Sequence, residues 1–128
     1  VGIHVAWENA EHTIIRYEYD HDWTWEDFHA AAQQGIALSK TVPHPVAHLA
    51  NLQHAQLSAQ SNGFVTIRNF LRTIKPDQGV VIIVHNHLSA IMLNIFKRIY
   101  PEYGNSFFGV ASLEDAHRLI AHLHSKSS

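Results

Sequence analysis

The run at residues 80–84, Val-Val-Ile-Ile-Val, restricts the fold more than any other part of the chain. Five consecutive β-branched residues favour a strand, and five are far too few to cross a membrane. A strand that is apolar at every position is covered on both faces, as in the middle of a parallel sheet. Gly79 precedes the run, His85-Asn86-His87 closes it, and a helical pattern follows at once. Open α/β sheets carry their sites at the carboxyl ends of strands, which draws attention to this histidine-rich end.

The rest of the chain repeats the same grammar. Residues 3–8 and 13–20 read as two strands joined by a link of hairpin length, Asn9 to His12. In the second, Ile14, Arg16, Glu18 and Asp20 alternate with Thr13, Ile15, Tyr17 and Tyr19. Thr24 is a helix N-cap with Asp27 in the capping-box position. Phe28, Ala31, Ala32, Gly35, Leu38 and Val42 then fall on one helical face until Pro43 and Pro45 stop it. Trp23 and Trp25 read as packing residues around the start of that helix. Residues 46–52 form a second buried-strand candidate with His48 inside it, and a polar link, residues 53–63, follows. Phe64, Ile67, Phe70, Leu71 and Ile74 mark the next helix. After the 80–84 strand, Leu88, Ile91, Met92, Ile95, Phe96 and Ile99 mark another, ended by Tyr100-Pro101 and Gly104. Residues 106–111 are a short last strand. Ser112 caps a final helix carrying Leu113, Ala116, Leu119, Ile120 and Leu123. The order β-β-α-β-α-β-α-β-α implies a single α/β domain over residues 1–128. Its sheet is mostly parallel, with the first strand as an antiparallel edge.

Composition narrows the function classes. With 128 residues, 46% of them hydrophobic, the chain can bury a core. The absence of cysteine excludes disulfides, thiol catalysis and cysteine-held metals, and fits a reducing compartment. Nine basic and eleven acidic residues do not make a nucleic-acid-binding or anionic-membrane surface. No apolar run is long enough for a membrane span and no secretory leader is visible, so the expected location is cytoplasmic. Twelve histidines would carry the formal charge from −2 to +10 if all were protonated, and most are expected at the surface.

This order, together with Trp23-Thr24-Trp25 at the first helix, Ile15-Arg16-Tyr17-Glu18-Tyr19 in the second strand and Ser112 to Ala116, resembles the STAS-like superfamily. These are the domains of the anti-sigma-factor antagonists, with the SpoIIAA-like fold, and within them a group of small bacterial proteins. The resemblance covers nearly the whole chain and implies a cytoplasmic, non-enzymatic regulatory module that binds a protein partner. The antagonists carry Asp-Ser-Ser-Gly at the start of a helix. Here the matching residues are Gln60-Ser61-Asn62-Gly63, with Gln60 in place of the aspartate and Asn62 in place of the second serine. The resemblance makes Ser61 the regulatory position. By its residue type alone, Ser61 is an N-cap. A phosphate on it would sit at a helix N-terminus, where free N–H groups and the dipole favour an anion.

Chemistry-bearing residues are few. His85 and His87, two apart, with His54 beyond the neighbouring strand, are the candidate metal or ligand set. The letters of His85-Asn86-His87 do not make an HNH nuclease, whose residues are spread over a ββα unit. His117, His122 and His124 lack the four-residue spacing that pairs ligands on a helix and read as surface. Asp20 and Asp22 serve the turn. No nucleophile–histidine–acid arrangement and no phosphate-binding glycine loop occurs. The leading expectation is therefore a protein-binding module with no catalytic residues and no cofactor. Its surface comprises Leu57, Gln60, Ser61, Asn62, Gly63 and Phe64. The alternative is a small-ligand or metal-binding module built on His54, His85 and His87.

Overall fold

A computed structural model describes residues 2–56, 63–73, 79–103 and 107–127; at residues 63, 64, 73 and 124–127 it describes the backbone alone. The elements are β1 (Ile3–Trp7), β2 (Ile14–Tyr19), α1 (Trp25–Ser39), β3 (Val46–Asn51), α2 (Gly63–Thr73), β4 (Gly79–Val84), α3 (His87–Ile99), a 3₁₀ turn (Pro101–Tyr103), β5 (Phe107–Val110) and α4 (Leu113–Ser127). They form an α/β domain on one five-stranded sheet of order β1-β2-β3-β4-β5. β1 runs antiparallel to β2 and every other pairing is parallel. The expected antiparallel edge and the interior place of the 80–84 run are both present. Among the described residues, no helix is long and apolar enough to cross a membrane.

Local chemistry sets the boundaries. The side chain of Asn9 accepts hydrogen bonds from the N–H groups of Thr13 and Ile14 and closes the first hairpin. The capping box foreseen at Thr24 and Asp27 is formed in both directions, at 3.1 and 3.0 Å. Ser112 caps α4 through the Asp115 N–H.

Because sheet order follows chain order, right-handed crossovers place α1, α2 and α3 on one face of the sheet. Side-chain alternation then divides the core. On the three-helix face lie Ile15, Tyr17, Tyr19, Val46, Val81 and Phe107, packed with Trp23, Ala31, Leu71 and Phe96. On the other face, Ile14, Ala47, Leu49, Ile82 and Val84 are covered by Leu113, Ala116, Leu119 and Ile120 of α4 alone. Beyond the reach of α4 this second face is polar. Arg16 pairs with Glu8 and Glu18, Asn51 donates to both Glu18 carboxylate oxygens, and His117 bonds Glu8 at 2.8 Å. His117, expected at the surface, is exposed and at the same time ties α4 to the β1–β2 hairpin.

Candidate functional site

The carboxyl end of the sheet is organised by Asn86. Its side-chain oxygen accepts from the Ser89 N–H at 2.9 Å and caps α3, while the hydroxyl of Ser89 accepts from the Asn86 N–H at 2.8 Å. The amide nitrogen of Asn86 donates to the carbonyls of Leu52, Gln53 and Ala55 at 3.0, 3.4 and 3.1 Å. The indole of Trp23 donates to the Gln56 carbonyl at 2.6 Å, and the Gln56 N–H to the His21 carbonyl at 3.1 Å. Residues 52–56 are thus fixed from both sides. The sequence pointed to this end for its histidines, but the residue that holds it together is the asparagine between them.

The three histidines have separate surroundings. His85 is half-buried with its ring over Gly109 beside Leu93, a place that a Cβ at residue 109 would crowd at 3.2 Å. His87 is exposed at the first residue of α3, and His54 is exposed in the turn after β3. Among the described residues, no group of three or more histidine and carboxylate side chains is placed to hold a metal ion. His54, His85 and His87, the candidate set of the alternative reading, are therefore not gathered into a metal-binding group. The physical reason is local: His85 turns to the three-helix face, as alternation from Val81 and Ile83 dictates, while His87 has already entered a helix.

Of the expected partner-binding residues, Leu57, Gln60, Ser61 and Asn62 lie outside the described residues. Gly63 is the first residue of α2 and Phe64 the second.

A buried polar pair lies under the helices. The Tyr17 hydroxyl and Nδ1 of His48 are 2.7 Å apart, and both residues are almost wholly buried. They sit on the same face of adjacent strands, since Tyr17 pairs with Ala50 and His48 with Ile15. Burial raises the Tyr17 pKa and lowers that of His48 to about 4. At neutral pH the tyrosine thus keeps its proton and the imidazole is uncharged, and a single hydrogen bond joins the hydroxyl to Nδ1. Gly35 makes room, because a Cβ there would overlap the Tyr17 hydroxyl. Beside the pair is a cavity of about 20 Å³ lined by Tyr19, Phe28, Ala31, Ala50, Phe70 and Val81 among others. Its volume is that of a water or two, too small for an organic substrate.

Four of the exposed large hydrophobic side chains gather on α3. Leu88 is 60% exposed, Ile91 45%, Ile95 38% and Ile99 53%. At 100° per residue they form one flank, roughly a third of a turn from the line of Ser89 and Phe96 that faces the sheet. Leu93, on the opposite flank, points to Gly109 of β5. The aliphatic stripe is therefore turned toward solvent on the α2 side of α3. Periodicity marks Leu88, Ile91, Met92, Ile95, Phe96 and Ile99 as one apolar-rich helix and does not tell the buried Phe96 from the exposed Ile95 beside it.

No family model, no curated protein and no solved structure matches this chain.

Proposed function

We propose that this domain is a non-catalytic protein-binding module of the STAS-like type, and that its partner covers the flank of α3. The observation that carries the reading is the row Leu88, Ile91, Ile95 and Ile99, four large aliphatic side chains exposed side by side on a helix capped at its N-terminus. Apolar side chains scattered singly on a surface are ordinary, whereas a contiguous row marks a place that another molecule covers. Anchors spaced at i, i+3, i+7 and i+11 are the form in which helices are recognised. The same reading places a regulatory switch at Ser61. It stands two residues ahead of Gly63 in the chain, where α2 begins, and the start of a helix favours negative charge.

An Ile91→Glu, Ile95→Glu double variant tests the reading. Both side chains are exposed, so the melting temperature should stay within a few degrees of wild type. Proteins retained from source-cell extract by the wild-type domain should be lost by the variant, and kept by Arg118→Glu on α4. Equal recovery by all three proteins, or no recovery by any, would refute the reading. Ser61→Glu should leave stability nearly unchanged, because a charge at a helix start is worth on the order of 0.3–1 kcal/mol. It should nevertheless reduce recovery of the same proteins.

A further inference from the structure

The charge of the chain is unevenly placed. Residues 63–73 and 87–99, which form α2 and α3, contain Arg68, Arg72, Lys97 and Arg98 and no carboxylate at all. The arginines elsewhere are neutralised: Arg16 pairs with Glu8 and Glu18, and Arg118 with Glu114 and Asp115. Three of the four cations of α2 and α3 are held by rings and a phenol instead. The guanidinium of Arg68 lies 5.5 Å from the Tyr100 ring centre, Lys97 lies 5.0 Å from that of Phe107, and Arg72 donates to the Tyr103 hydroxyl at 2.9 Å. Cation–π contacts fix such groups in place without cancelling their charge. Among the described residues, none of the four makes an ion pair.

Three of these cations, Arg68, Arg72 and Arg98, border the aliphatic row, while Lys97 lies on the β5 side of α3. Arg98 projects next to Ile91 and Ile95 around α3, and Arg68 and Arg72 reach from α2 to the residues that end α3. Resting on the reading of the α3 flank as a protein-binding face, we propose that the partner is an amphipathic helix whose apolar stripe is flanked by carboxylates. It lies along α3 with its acids against Arg68, Arg72 and Arg98. α3 spans 13 residues, about 20 Å, so the docked segment is about four turns long. Carboxylates in the first turn of an antiparallel helix would meet Arg98 near the end of α3 and also suit their own helix dipole. An anionic bilayer is the weaker match. The exposed row contains no tryptophan or tyrosine, the residues that settle at a lipid interface.

Two labelled 15-residue helical peptides decide the matter, both with the same leucine stripe, one flanked by glutamate and the other by lysine. Binding to the full chain is read by fluorescence anisotropy at low and high salt. The glutamate peptide should bind at least about tenfold more tightly, and this preference should fade with salt. An Arg68→Glu, Arg98→Glu protein should reverse the preference, a result that mere loss of fold would not produce. Equal affinity for the two peptides would overturn the acidic-partner inference while leaving the apolar docking face standing. Undiminished binding to the Ile91→Glu, Ile95→Glu variant would overturn both. So would the absence of binding to either peptide combined with capture by vesicles containing phosphatidylserine. Sedimentation showing a dimer abolished by Ile95→Glu would assign the face to a second copy and overturn the proposal.

Discussion

Mild acid should weaken this fold through one side chain. His48 is 3% exposed, and burial lowers its pKa from 6.5 to about 4. Once the chain unfolds, the imidazole takes up a proton below about pH 6.5, whereas the folded domain resists it down to about pH 4. Across that window the unfolded state binds more protons, so stability falls as pH falls, and the contribution of His48 is fully retained above 6.5. At 1.36 kcal/mol per pH unit, the loss is about 2 kcal/mol at pH 5 and about 3 kcal/mol at pH 4. That is a large share of the roughly 5–15 kcal/mol that holds a domain together. Urea unfolding between pH 4.5 and 8, followed by tryptophan fluorescence, measures the profile. His48→Gln keeps a hydrogen-bond partner for the Tyr17 hydroxyl and removes the titration. It should be less stable at pH 8 and show a shallower acid limb, and the difference between the two profiles isolates His48 from the other histidines. Parallel profiles for wild type and variant would refute the reasoning, as would an NMR titration of His48 with a midpoint near 6.5.

Other outcomes follow from single contacts. Asn86→Ala removes a helix cap and the donor to three carbonyls and should cost about 2–3 kcal/mol; it should raise amide exchange at residues 52–56 before the rest of the sheet, and uniform exchange would count against its role as a local tie. Ile82→Asp places a charge at a fully buried position covered by α4 and should abolish cooperative unfolding; a melt near that of wild type would show that β4 is not central. Zinc should shift the melting temperature of wild type and of a His85→Ala, His87→Ala variant equally, because these histidines belong to no ligand set; a shift confined to wild type would restore the metal reading.

Much of the architecture was legible because it depends on short-range pattern. The 80–84 run, the alternation through Ile15, Tyr17 and Tyr19, and the Thr24–Asp27 capping box are written within a few residues and are found as read. The Tyr17–His48 pair was not legible, since it needs the register of β2 against β3 and the gap that Gly35 leaves in α1. On α3, apolar residues occupy the sheet-facing line and an adjacent flank alike, so periodicity could not separate the buried Phe96 from the exposed Ile95. Asn86 was overlooked for a different reason. A histidine draws the eye as a ligand, while an asparagine that caps a helix and grips a loop at once is recognised only when both partners are in view. Net charge also concealed the carboxylate-free stretch shared by α2 and α3.

The lone position of α4 bears on how the domain is made. Each strand joins the edge of the sheet just completed, so the three-helix side can grow one unit at a time as the chain leaves the ribosome. The opposite side has no such schedule. Ile14, Leu49 and Ile82 wait for Ala116 and its neighbours, which are synthesised after every strand they cover. A ribosome stalled before residue 113 would therefore display a nascent sheet with one oily surface open to water, which is a natural target for a chaperone. Arrival of α4 closes that surface in a single step.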